Sequence, residues 1–180
     1  MIESRKAFIS GIKGKKLKVN EINFLKKYKP WGVILFSRNI HSLKQTKLLT
    51  QSIRNVFKDQ NYPILIDEEG GRVSRLHRLI DTSLFSAKYF GDLFCKDIKK
   101  FYLYYNVYIK QISYLLHLLG ININTVPVLD ILRKSSHKII GDRSYSSNQK
   151  IVSKIGDFCI KEFHKNKIGT IIKHIPGHGL

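Results

Sequence analysis

Acidic residues are scarce in this chain, 13 against 32 lysines and arginines, which leaves a formal net charge of +19 over 180 residues. An excess of that size raises the question of a polyanionic partner. Lysine supplies 24 of the basic residues, scattered in clusters such as KGKKLK (13–18), KKYK (26–29) and KDIKK (96–100). No helix-turn-helix, RNP, zinc-finger or arginine-rich signature accompanies them, so solvated lysine faces are the plainer reading and a nucleic-acid surface the alternative. Cysteine is rarer still. Cys95 and Cys159 form no CxxC pair, which points to buried free thiols in a reducing compartment. No run reaches the ~18 apolar residues of a membrane span. The amino-terminal stretch MIESRKAFISGIKGKK has no apolar core for a signal peptide. These absences predict a soluble, cytoplasmic protein. A hydrophobic content of 43% with 25% charged residues excludes a disordered chain.

What is present is an alternation of short apolar runs and helical periodicities. Ala7–Gly11, Gly32–Phe36, Ile64–Ile66, Ile121–Leu129 and Gly169–Ile172 read as strands. Between them, Glu21–Lys29, a stretch from Ser42 to Lys58, a long region from Ser86 to Leu119 and Gln149–Lys165 carry apolar residues at helical spacing. Pro30 ends the first of these helices, and Gly91 is the expected break in the long one. The interleaved FYLYYNVYIK could stack on RNA, but its periodicity fits core packing better. Strand–helix alternation throughout implies a parallel sheet with right-handed crossovers in a single domain, 1–180. At 180 residues the chain is short of the roughly 250 of a closed (β/α)8 barrel.

The charged residues with chemical potential gather at the carboxyl ends of these strands. The densest example is PILIDEEGGRVSRL (63–76), where a buried strand runs into three acids, a Gly-Gly pair and two arginines. Arg38 follows the second strand, Asp67 and Arg75 the third, Asp130 and Arg143 the fourth, and Lys173 and His174 end the fifth. That convergence is what a barrel with its site on the C-terminal face produces. Arg38, Arg72, Arg75 and Arg143 in strand-end loops hint at an oxygen-rich ligand, for which a planar guanidinium is better suited than lysine. Carboxylates with Arg, Lys and His suit a polyhydroxylated ligand, because each hydroxyl both donates and accepts. The bland alternative is an acidic turn neutralised by nearby arginines. No GxGxxG, Walker or G-x-S-x-G pattern is present. His174 and His178 are four apart, but Pro176-Gly177 between them excludes a shared helical face, so neither a metal nor a cofactor is expected.

Taken together, GVILFSRNI, ILIDEEGGRVSRL, ININTVPVLDI, IIGDRSY and KHIPGHG resemble, in order and spacing, the family 3 glycoside hydrolases. Within that family the chain is most similar to the bacterial cytoplasmic β-N-acetylhexosaminidases of peptidoglycan recycling, from about Ala7 to Gly179. The resemblance implies a (β/α)8 TIM barrel, here truncated to about five β/α units. It implies removal of terminal N-acetylglucosamine from muropeptides or oligosaccharides, with retention through a covalent glycosyl-enzyme. Carried over by motif, Asp67, Arg75, Arg143, Lys173 and His174 would grip the hydroxyls of that sugar. Glu68 receives no role, and Asp130 is expected to be structural.

The family's proton-donating Asp-Ser-His stretch and its nucleophilic Asp follow the GHG segment, and this sequence stops at Leu180. A double-displacement glycosidase needs both groups, so no catalytic residue is assigned and the 180 residues alone are expected to be inactive. They could be a partner-dependent fragment completed by a second polypeptide, or an inactive remnant. Five strands would leave two open edges, and the isolated chain is expected to be poorly stable or prone to aggregate.

Overall fold

Five strands form one parallel sheet in the order of the chain: β1 (Lys6–Gly11), β2 (Pro30–Leu35), β3 (Ile64–Ile66), β4 (Ile123–Asn124) and β5 (Gly169–Thr170). The computed structural model describes residues 5–179. The first four residues of the stretch read for a signal sequence, and Leu180 after GHG, lie outside the described residues. Helices α1 (Val19–Tyr28), α2 (Leu43–Phe57), α3 (Ala87–Lys96), α4 (Ile98–Leu119) and α5 (Gln149–Lys165) connect the strands. Every strand pair is parallel, with Leu65 opposite Ile34 on one side and Ile123 on the other. Such a sheet grows by whole β/α units. Within the described residues β1 pairs only with β2 and β5 only with β4, so the sheet is open, as the strand count predicts.

The middle strand is the best buried. Ile64, Leu65 and Ile66 are inaccessible to solvent, as befits a central parallel strand covered on both faces. Leu49 and Ile53 of α2, Ile109 and Leu116 of α4, and Ile155 and Phe163 of α5 belong with Ile64 and Ile66 to one apolar core. Helices α2 to α5 start where a short polar side chain can accept an otherwise unmatched backbone N–H. Ser42 accepts from Gln45 N, Ser86 from Tyr89 N, Asp97 from Lys100 N and Asn148 from Lys150 N.

Three expectations need correcting. The long helical region breaks at Asp97, not at Gly91. Asp97 sits at φ −153°, ψ 92°, outside helical space, and its carboxylate caps the helix that follows. Gly91 lies inside α3, where a Cβ would come 1.7 Å from the carbonyl oxygen of Tyr145. Glycine is needed there for close approach. The fourth strand is regular over only two residues, because Pro127 has no N–H to offer a ladder. Side chains extend the β3–β4 pairing: Asn124 Oδ1 accepts from Glu68 N (3.0 Å) while its Nδ2 donates to Glu68 O (2.9 Å). Asn122 Oδ1 likewise accepts from Ile64 N (2.8 Å). Pairing resumes at Val128, which faces Lys173. Of the two thiols, Cys159 is buried but Cys95 is exposed. Burial pushes the Cys159 thiol up to about 12, against hydrogen bonds from Tyr105 and Tyr145.

Among the described residues no helix is long and apolar enough to cross a membrane.

Candidate functional site

Beyond β3 the chain turns sharply at Gly70, which has φ +83°, a conformation that side chains with a Cβ rarely adopt. A Cβ there would also lie 2.2 Å from Phe85 O and 2.5 Å from the Tyr108 hydroxyl. The turn folds back so that Glu69 N donates to Val73 O at 3.0 Å. Glu68 points into this loop and holds it. Its carboxylate accepts from Ser74 Oγ (3.0 Å), Arg75 N (2.8 Å), Leu76 N (3.0 Å) and Thr82 Oγ1 (3.1 Å). Burial raises its proton affinity above the ordinary carboxylate value, and these four hydrogen bonds only partly offset that. Strand alternation sends Asp67 and Glu69 to the opposite side, toward the strand ends.

There the five residues Asp67, Arg75, Arg143, Lys173 and His174 come together with three others, Glu69, Thr125 and Asp130. Lys173 Nζ stands 3.0 Å from Asp67 Oδ1, 3.0 Å from Thr125 Oγ1 and 2.6 Å from Glu69 Oε1. The Thr125 hydroxyl donates to Asp67 Oδ1, and Arg75 Nη2 reaches Asp67 Oδ2 at 3.3 Å. Arg143 forks onto Glu69, with Nε 2.8 Å from Oε2 and Nη2 3.0 Å from Oε1. The same Nη2 lies 3.2 Å from His174 Nε2. On the far side of that ring, Nδ1 is 2.5 Å from Asp130 Oδ2, and Asp130 Oδ1 accepts from His178 N at 2.8 Å. A guanidinium can only donate, so His174 Nε2 accepts and the proton of the neutral ring sits on Nδ1, facing Asp130.

Three carboxylates thus alternate with three cations along one chain of contacts. Burial opposes ionisation of Asp67, but Lys173, the Thr125 hydroxyl and Arg75 outweigh it and hold its carboxyl below the ordinary value. Burial likewise works against the charge on Arg143, and the Glu69 fork with the nearby Asp130 and Asp67 raises its affinity for the proton above normal. Pairs this well hydrogen-bonded keep their charge even when partly shielded from water. The result is a polar floor of paired groups. It presents acceptor and donor groups side by side, which is the pattern that binds hydroxyls. Beside it, Asp130, Arg133, His174 and His178 line an open pocket of about 250 Å³.

Not every charged residue singled out in the sequence belongs here. Arg38 stacks on Phe36, 4.4 Å from its ring centre, and donates to Ile12 O at 3.0 Å. Arg72 pairs with Asp142 and donates to the carbonyls of Lys138, Ile139 and Ile140. Both brace loops outside the network around Asp67, Arg38 through Nε and Arg72 through Nε and Nη2. Asp130, expected to be structural, holds the ring of His174. Among the described residues no cluster of three or more His, Cys, Asp or Glu could hold a metal ion.

Sequential parallel strands with charge collected at their C-terminal ends define the class: a β/α-barrel protein, seen here over five units. The chain belongs to glycosyl hydrolase family 3, whose N-terminal-domain model matches residues 3–180. It is similar to β-hexosaminidase A of Pseudoalteromonas piscicida, 31% identical over 159 residues that make up 86% of this chain and 26% of that one. A β-hexosaminidase of Xanthomonas campestris pv. campestris is 28% identical over 169 residues, 94% of this chain and 50% of the relative. The crystal structure of NagZ from Neisseria gonorrhoeae in complex with N-trifluoroacetyl-D-glucosamine superimposes with a TM-score of 0.84 at 27% identity, over 98% of this chain and 52% of NagZ. The chain therefore spans between about a quarter and about half of the length of these relatives.

Proposed function

We propose that these residues form the sugar-gripping part of a β-N-acetylhexosaminidase that releases terminal N-acetylglucosamine from peptidoglycan fragments in the cytoplasm. The observation that carries this reading is the alternating network from Arg75 through Asp67, Lys173, Glu69 and Arg143 to His174. Family membership and the β-hexosaminidase relatives support it. In this reading the carboxylate of Asp67 accepts from ring hydroxyls. Lys173, Arg143, Arg75 and His174 complete the grip, the cations donating bonds that strengthen as the sugar distorts. Retention through a covalent glycosyl-enzyme requires a nucleophile and an acid/base. Asp67, Glu69 and Asp130 are each already paired. The reading leaves both roles to residues outside these 180, either in a longer protein or in a second polypeptide that completes the barrel. It calls for no metal or cofactor.

The test is titration of N-acetylglucosamine into the ¹⁵N-labelled chain. Amide shifts should change around Asp67, Thr125, Arg143 and Lys173. Arg143→Lys, which keeps the charge but loses the fork, should weaken binding by about tenfold. Added to the remaining portion of the N. gonorrhoeae relative, the chain should hydrolyse a chromogenic N-acetylglucosaminide. Shift changes confined to another face, or an unaltered titration for Arg143→Lys, would overturn the reading.

A further inference from the structure

Helix α4 is apolar on two faces. Its inner face, with Phe101, Tyr105, Ile109, Ile112 and Leu116, is buried in the core. Its outward face carries Leu103, Val107, Tyr114 and Leu118, all exposed, Leu103 by 60% and Tyr114 by 63%. These four fall at spacings of four, seven and four, one stripe along the helix. The stripe continues onto the loop before α3, where Leu84 is 78% exposed, and onto Phe85 and Tyr89. Between the two lies a groove of about 470 Å³ lined mainly by Phe85, Tyr89, Leu103, Tyr104 and Val107, with the acidic Asp81 also at it. An apolar surface of this kind on a charged protein marks an interaction site.

The fold limits what can cover it. Helix α4 packs against α2, α3 and α5, and it leads into β4, the neighbour of the edge strand β5. Strands paired at β1 or β5 extend the sheet along its own plane, whereas this outward face points away from the sheet. Charge narrows the choice further. Helix α4 contains no acidic residue over 22 positions. Lys100 and Lys88 are paired with Asp97 and Asp92, but Lys96, Lys99 and Lys110 make no ion pair among the described residues. A second copy of this chain would bring the same lysines and another +19 charges against them. A nucleic acid would meet the charge but find aliphatic tips where it needs hydrogen-bonding groups. Protruding leucines, tyrosines that are apolar with a wet hydroxyl, and lysines on flexible stems together match the boundary of an anionic lipid bilayer.

We propose that the outward face of α4 and the Leu84–Tyr89 segment dock peripherally on an anionic membrane surface. The lysines would meet the headgroups, and Leu84, Leu103 and Val107 would enter the acyl boundary. The inference is independent of the sugar site.

Co-sedimentation of the full chain with phosphatidylglycerol-containing vesicles tests it, with pure phosphatidylcholine vesicles alongside. Binding should be confined to the anionic vesicles and fall as salt is raised. The double variant Leu103→Asp/Val107→Asp should bind about tenfold or more weakly, since each apolar insertion is worth about that factor. The double variant Leu48→Asp/Leu43→Asp makes the same charge change at exposed leucines of α2 and should lose far less. Absence of binding to anionic vesicles overturns the proposal. Equal losses in the two double variants overturn it too, because they would reduce the effect to net charge. So does retention of RNA under the same conditions with no vesicle binding.

Discussion

At the scale of single residues, the three consecutive acids Asp67, Glu68 and Glu69 divide into two roles. Asp67 and Glu69 face cations, whereas Glu68 is a clamp whose carboxylate satisfies four donors of the loop that carries Arg75. Glu68→Ala should cost about 3 kcal/mol, since buried N–H groups of Arg75 and Leu76 would lose their acceptor. Glu68→Gln should retain most of the stability, because its amide oxygen still accepts. The two also differ in pH dependence. In the folded protein Glu68 holds its proton to a pH above the ordinary value of 4.5. Its contribution is therefore fully present below that value and is lost as pH rises through the folded one. Urea midpoints measured from about pH 4 upward should show the wild type falling relative to Glu68→Gln. A rise would reverse the assignment. Asp67, Arg75, Arg143, Lys173 and His174 were legible in the sequence as charged residues following strands and as positions of a family motif. Glu69 was missed although period-two alternation places it beside Asp67. Thr125 carried no signal, and the contact between Asp130 and His174 joins positions 44 apart that no local pattern connects.

Among the elements, the boundaries of α2 and α5 agree with their polar caps at Ser42 and Asn148, where local chemistry decides the matter. Glycine and aspartate can each interrupt a helix, and tertiary packing decides that the break between α3 and α4 falls at Asp97. Gly91 accommodates the carbonyl of Tyr145 instead. Gly91→Ala should therefore cost about 2–4 kcal/mol by forcing α3 away from the Gly141–Arg143 turn. It should also weaken sugar binding, because Arg143 belongs to that turn. A thermal melt together with the N-acetylglucosamine titration checks both. Unchanged stability would mean that the two segments separate freely. β4 shows why strand length was hard to read. Its apolar run is long, yet the ladder is regular for two residues, and asparagine side chains do the work of backbone around it.

For the whole molecule, the parallel alternation was readable because period-two and period-3.6 segments follow one another with few exceptions. The consequence of an open sheet is also physical. Phe8 and Ile9 on β1 are exposed, and β5 has one partner strand among the described residues. Unpaired edges of this type invite association. The 180-residue chain by itself should unfold with a low, broad transition and sediment in part as aggregates. Addition of a polypeptide bearing further β/α units should sharpen the transition and suppress the aggregates. Analytical ultracentrifugation and a calorimetric scan distinguish these outcomes, and a sharp transition near about 60 °C for the monomer would place it among ordinary stable domains. The order β1-β2-β3-β4-β5 carries one more implication. After β1, every strand finds a neighbour that has already been made. On a ribosome delivering about 5–20 residues per second, each unit can settle against the one made just before it, so the sheet is assembled in the same direction, and on the same clock, as the message is read.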